Sequence, residues 1–149
     1  MAMSKRISFD TTLQVRDTCL CLHAQRAARA LGRRFDEALR PVGLTNGQFS
    51  LLMSLNRPQP PAIAPVAQLL AMDRTTLTAA LKPLQRDGLV EIEPDPADRR
   101  SRLLKLTDRG HALLARAMPI WRETHAEIEA GLGEVDADVL RAGLSALGS

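Results

Sequence analysis

Apolar positions recur every three or four residues between 10 and 40: Leu13, Leu20, Ala24, Ala27, Leu31, Phe35, Ala38 and Leu39. That period is one face of a helix, and no proline interrupts it before Pro41. The frequent alanines favour helix and permit close approach of a neighbour. A single helix of this length spans roughly 45 Å at 1.5 Å per residue. It overshoots a small globule, so part of it is expected to pack on a second subunit. Its polar side carries Arg16, Arg26, Arg29, Arg33, Arg34 and Arg40.

Pro41 and Gly43 end this helix. Thr45 and Gln48 then have capping-box spacing, and Leu44 with Phe49 has the spacing of a hydrophobic staple. Phe49, Leu52, Met53 and Leu55 continue a buried face to about Asn56. RPQPP (57–61) reads as a rigid loop, and Ala62 and Ile63 as a very short strand. Pro65 suits the first turn of a helix, VAQLLAM. The next helix runs from Asp73 to about Asp87, with Asp73 as cap, Leu77, Leu81 and Leu84 inward, and Gly88 just past its end. Leu89–Glu93 and Leu103–Leu106 read as strands flanking a loop, PDPADRRSR, with two prolines and three arginines. Thr107 can cap a further helix to about Leu132. Its apolar positions are Leu113, Leu114, Ala117, Trp121, Ile128 and Leu132, and Pro119 is expected to kink it or remove one backbone bond. Val135–Leu147 predicts a last short helix with Val139, Leu140, Leu144 and Leu147 inward.

Two short helices joined tightly, with strands and a basic loop directly after them, make a winged helix-turn-helix. The predicted fold is mainly α with a small β-wing: residues 44–106 form the winged module, and 10–41 with 108–148 form a helical dimerisation layer, all in one domain of 1–149. Arg74, Thr75, Thr78 and Lys82 fall on one face of the helix at 73–87. Cationic and hydroxyl groups without an acid suit phosphate oxygens and base edges. Pro83 is expected to turn the Lys82 end aside. The bland alternative is a solvated helix and hairpin, since basic patches are weakly specific.

Composition narrows the partners. The chain has 149 residues, 45% of them hydrophobic, with a net charge of +3. It can bury a core and is not a polycation, so any nucleic-acid contact must come from local clustering of charge. Arginine gathers at 26–40 and 99–109, while acids gather in the last third. The two cysteines, Cys19 and Cys21, make no disulfide framework. No signal-like or membrane-spanning apolar run is present, so the chain is expected to be cytoplasmic with reduced thiols. No cofactor motif is present. His111 and His125 would lie about 21 Å apart on a straight helix, and His23 stands alone, so no metal site is expected.

The words GLTNGQF, DRTTLT, KPLQRDGLVE, DPADRRSRLLKLT and LTDRG, in that order, resemble the MarR family of winged helix-turn-helix regulators over about residues 10–145. The resemblance implies a homodimer clasped through its first and last helices on a pseudo-palindromic double-stranded DNA operator. It implies recognition-helix roles for Arg74, Thr75, Thr76 and Thr78, with Thr76 also suited to capping. It implies that Arg100 enters the minor groove, braced by an ion pair from Asp98. A narrow A·T-rich minor groove has a strongly negative potential that suits arginine. Arg99 and Arg102 are phosphate-contact candidates.

The family also implies a repressor released by a small aromatic or phenolic effector bound between the helical layer and the winged module; no family word marks its residues, and the arginines of the first helix with His23, Phe49 and Met53 are the pocket candidates. In its hydroperoxide-sensing branch a reactive cysteine stands where Cys21 stands here. The tyrosines that hold it there match Gln25 and Phe35, so their hydroxyls are absent from this chain. Oxidant sensing by Cys21, with Cys19 nearby, is the alternative to an effector. The other reading of Cys21 is a buried small hydrophobe. On a continuous helix the two thiols would point about 200° apart, against an internal bridge. A protein-binding winged helix is a further alternative. An enzyme is not expected, because no nucleophile–base word, Gly-rich phosphate loop or apolar carboxylate pair is present.

Overall fold

The structure, a computed structural model, describes residues 6–149. Its elements are α1 (Phe9–Thr18), α2 (Leu20–Leu39), a 3-10 turn (Arg40–Val42), α3 (Asn46–Ser54), α4 (Ile63–Leu69), α5 (Arg74–Arg86), β1 (Val90–Asp95), β2 (Asp98–Leu106), α6 (Asp108–Ala130) and α7 (Ala137–Leu147). The chain divides into two compact units, one ending at Arg34 and the other Phe35–Ser149.

The long N-terminal helix is interrupted at Cys19, which corrects the expectation of one continuous helix. Cys19 takes an extended conformation, φ −71° and ψ 110°, and its N–H donates to the Val15 carbonyl to close α1. Its Sγ then accepts the Leu22 N–H at 3.4 Å, in the manner of a capping side chain on the next helix. One residue therefore ends α1 and starts α2.

In Phe35–Ser149 the core forms where the apolar seams meet. Leu39, Leu52, Val66, Leu77, Leu81, Leu84, Val90 and Leu104 are fully buried. α3 packs on α6, α4 on α5, α5 on β1, and α6 on β2. The capping box is complete: Gln48 N–H donates to Thr45 Oγ1 at 3.2 Å, and Thr45 N–H donates to Gln48 Oε1 at 3.1 Å. Asp36 Oδ1 accepts both the backbone N–H and the side-chain amide of Asn46, at 2.7 and 2.8 Å. That pair joins the end of α2 to the first turn of α3. It also holds the Asp36 carboxyl below its ordinary range, the backbone bond first and the amide second.

Two expectations change, at Ile63 and in α7. Ile63 belongs to α4, and only Ala62 bridges to a strand, opposite Leu103. The helices that contain Pro83 and Pro119 run to Arg86 and Ala130, close to the expected ends at about Asp87 and Leu132. The apolar residues of α7 do not point into a core of this chain: Val139 is 70% exposed and Leu147 56%.

Candidate nucleic-acid interface

α4 and α5 are joined by Leu70, Ala71 and Met72. Ala71 is left-handed, with φ 53°, a conformation that costs an L-residue free energy. It is held there because Met72 N–H donates back to the Ala67 carbonyl at 2.9 Å, the pattern of a left-handed helix stop. The sharp turn sends the chain straight into α5. Asp73 caps that helix, its carboxylate accepting the Thr76 N–H at 2.7 Å and the Thr76 hydroxyl at 3.0 Å. The same two bonds, in that order, lower the Asp73 pKa.

Leu77, Leu81 and Leu84 anchor α5 to the core, so the opposite face is open. Arg74, Thr75, Thr78 and Lys82 are all exposed on it. Arg74 and Lys82 have no ion-pair partner among the described residues. The Thr78 hydroxyl donates to the Arg74 carbonyl at 2.8 Å, and the Thr76 hydroxyl is engaged in the cap. Thr75 is the hydroxyl on this face with no partner among the described residues.

The wing differs from the predicted loop. β1 and β2 pair antiparallel from Val90↔Leu106 to Pro94↔Arg102, and again at Asp95↔Asp98. Pro96 and Ala97 alone form the turn, with Ala97 N–H donating to Asp95 Oδ1 at 2.9 Å. The segment first read as loop is therefore mostly strand. Between Asp98 and Arg102, residues Arg99, Arg100 and Ser101 have no counterpart on β1 and form a bulge. A bulge re-aims the side chains it carries. Arg99 and Arg100 are exposed there.

The predicted Asp98–Arg100 ion pair is not present. Asp98 Oδ1 instead accepts the Arg100 backbone N–H at 2.9 Å, so the acid fixes the bulge's backbone and leaves the guanidinium unengaged. Arg102 is exposed, and its Nη1 reaches only the Ser101 carbonyl at 3.4 Å.

The wing is tied to α6 by the expected Thr107 cap and by two contacts that pattern reading missed, Thr107 on Gly88 and Gly110 on Leu89. The Thr107 hydroxyl accepts the Gly110 N–H at 3.0 Å and donates to the Gly88 carbonyl at 2.7 Å. A Cβ on Gly110 would strike the Leu89 carbonyl. The LTDRG word is the sequence trace of this joint.

The remaining candidates fall in both units. Phe49 and Met53 line a cleft of about 370 Å³ with Ser50, Leu69, Met118 and Trp121 among its walls. Within the unit ending at Arg34, His23 lines a groove on α2 with Arg26, Arg29 and Arg33. Cys21 is exposed, which corrects the buried-hydrophobe reading for this chain, and its Sγ accepts the Gln25 amide at 3.3 Å. Cys19 is half-buried at the helix break. Among the described residues no helix is long and apolar enough to cross a membrane.

A capped helix-turn-helix with an open cationic face, followed by a two-stranded basic wing, defines a winged-helix DNA-binding protein. Residues 44–110 match the family model described as a winged helix DNA-binding domain. The chain is 30% identical over 135 residues to the transcriptional activatory protein BadR of Rhodopseudomonas palustris, covering 86% of this chain and 77% of that one. Among solved structures it resembles the M. tuberculosis transcriptional regulator MosR in complex with DNA, with a TM-score of 0.80 and 39% identity over 88% of this chain and 94% of that one. It also resembles the transcriptional repressor CouR bound to a 23-mer DNA duplex, with a TM-score of 0.80 and 31% identity over 91% and 96%. The chain belongs to the MarR family of winged helix-turn-helix transcription regulators. It is a DNA-binding regulator, and the relatives it matches are regulators of transcription rather than enzymes.

Proposed function

We propose that the chain acts in the cytoplasm as a homodimeric repressor whose two winged modules grip a pseudo-palindromic operator until a small molecule releases them. The observation that carries this reading is the pairing of two unengaged cationic sets in one unit. Arg74 and Lys82 stand on the open face of α5, and Arg99 and Arg100 stand in the bulge of β2. Arg74, Thr75 and Thr78 face the bases of the major groove, with Lys82 toward phosphate. Thr76 supports them through the cap. Arg100 enters the minor groove, Asp98 shapes the bulge that presents it, and Arg99 and Arg102 contact phosphate.

The dimer reading rests on α7, where Val139, Leu140, Leu144 and Leu147 are exposed on an amphipathic helix. Exposed apolar faces of this kind mark association surfaces. The dimerisation layer comprises residues 10–41 and 108–148. The effector's place is the cleft lined by Phe49 and Met53. CouR is a repressor and BadR an activator by description. Repression is favoured here because the DNA-binding side chains need no ligand to be presented.

The test is binding to the DNA beside the protein's own gene. Arg100→Ala should weaken it by about ten- to a hundredfold while sedimentation shows an unchanged dimer. Retention of full affinity removes Arg100 from the interface. Exposure of Cys21 favours one second reading, oxidant sensing. There a hydroperoxide abolishes DNA binding of the wild type and spares Cys21→Ser; an equal response of the two proteins removes it.

A further inference from the structure

We infer that a second cleft, walled by the Arg40–Val42 turn, the junction of α5 with β1, and α6, binds a linear aliphatic dicarboxylate. It lies within Phe35–Ser149 and shares no lining residue with the cleft of Phe49 and Met53.

The cleft encloses about 350 Å³, within the roughly 300–1,000 Å³ of small-molecule sites. Backbone bonds fix its walls. Gly43 is left-handed, with φ 73°, and its N–H donates to the Arg40 carbonyl at 2.9 Å. That closes the turn that carries Val42 into the lining. Leu89 N–H donates to the Leu84 carbonyl at 2.9 Å, and the Leu89 carbonyl accepts the Thr107 N–H at 3.1 Å. Leu89 is thereby pinned between α5 and α6. The last wall is one stripe of α6: Arg109, Ala112, Leu113 and Arg116, at the spacing of a single helix face.

The charge in this cleft is unmatched. Arg109 and Arg116 are exposed, and neither has an ion-pair or hydrogen-bond partner among the described residues. Arg141, by contrast, is held by both Glu129 and Asp138. Asp87 is the one acid in the lining, and Arg86, outside the cleft, already stands 3.7 Å from it. The surplus is therefore positive.

The two guanidinium arms leave α6 two turns apart, about 10 Å along its axis. The surface between them is apolar. Leu89 is buried, Val42 and Leu113 are half-buried, and Ala112 sits midway between the arginines. A ligand that matches carries an acid at each end of a saturated chain. Each carboxylate can take a forked pair of bonds from one guanidinium, while the chain covers the apolar floor. Phosphate or sulfate brings charge but no apolar surface. A fatty acid answers one arginine and leaves the other. No aromatic side chain lines the cleft among the described residues, so nothing there favours a flat ring over a chain.

Occupancy bears on the DNA-binding module. Asp87 and Leu89 flank Gly88, whose carbonyl accepts the Thr107 hydroxyl. A ligand seated here touches the end of α5, the start of the wing and the first turns of α6 together. If it changes operator affinity, the operator changes its affinity by the same factor.

The experiment is calorimetric titration of the full-length protein at low ionic strength with suberate, octanoate and the corresponding diol, which share a chain length and differ in charge. Suberate should bind at least about fivefold more tightly than octanoate, and the diol should give no heat. Arg109→Gln and Arg116→Gln should each bring suberate to the affinity of octanoate. Ala112→Glu, at an exposed helical position, should abolish binding. Arg122→Gln, an exposed arginine of α6 outside the cleft, should leave it unchanged. The ligand series in the wild type decides the question even where a variant misfolds. Absence of suberate binding, or equal affinity for suberate and octanoate, overturns the inference, as does an equal loss in Arg122→Gln. Weakened operator binding by Arg109→Gln and Arg116→Gln without any ligand also overturns it, by assigning both arginines to the DNA backbone.

Discussion

The hydroxyl of Thr107 donates to the carbonyl of Gly88 at 2.7 Å, so the residue that opens α6 also holds the residue that closes α5. The same oxygen caps α6 through the Gly110 N–H. Thr107→Val keeps the shape and removes both bonds. It should lower unfolding free energy by about 1–2 kcal/mol, read from urea denaturation, while Thr107→Ser should remain close to wild type. Equal stability of all three proteins would show that the bridge is idle.

Gly110 is required by proximity rather than by backbone freedom. Its missing side chain leaves room for the Leu89 carbonyl and the Leu106 methyl. Gly110→Ala should cost about 1–3 kcal/mol as an overpacked site. Gly47 on α3 has nothing within 4 Å of an added Cβ, and there Ala should add about 0.5–1 kcal/mol. Thermal melts of the two variants should therefore move in opposite directions.

Much of this joint was legible and some was not, for physical reasons. Leucine periodicity places α3 to α6 well, because burial of Leu52, Leu77, Leu81 and Leu84 is the same signal that sequence carries. The caps at Thr45, Asp73 and Thr107 follow from side-chain chemistry alone. Cys19 escapes notice because sulfur is a weak acceptor and is rarely read as a cap. The wing strands run longer than their apolar residues, since a polar, exposed hairpin needs no hydrophobic alternation beyond Leu103. The inward reading of α7 failed because an amphipathic pattern does not say what its apolar face packs on. Phe49 and Met53 share a cleft with Trp121, a grouping that depends on tertiary placement.

Ala71 occupies a left-handed position without being glycine. Ala71→Gly removes the clash of Cβ with the backbone, partly offset by the greater freedom of the unfolded chain. A gain of about 0.5–1 kcal/mol is expected, seen as a higher melting temperature. A loss would mean that the turn is not strained.

Stability should depend on acid in a defined direction. Asp36 and Asp73 both have folded pKa values below the ordinary one, through their bonds to Asn46 and Thr76. The unfolded chain then binds more protons, so stability rises with pH across this range. The contribution is complete above the ordinary aspartate value of about 3.9 and is lost as pH falls through the lowered values. Asp73→Asn preserves a good cap and should flatten part of this dependence, measured by unfolding between pH 6 and 3 (a range set by about one to two units around that value). An unchanged pH profile in Asp36→Asn and Asp73→Asn together would remove both carboxyls from the account.

The bulge at Arg99, Arg100 and Ser101 lies outside the paired register of the hairpin. Replacing those side chains therefore asks nothing of the ladder that holds β1 to β2. In a lineage of such regulators, this is where mutations can accumulate without endangering the scaffold. On the proposed role of the wing, operator preference can drift at its tip while the helices beneath stay fixed, and descendants of one gene can come to read different promoters without passing through an unfolded ancestor.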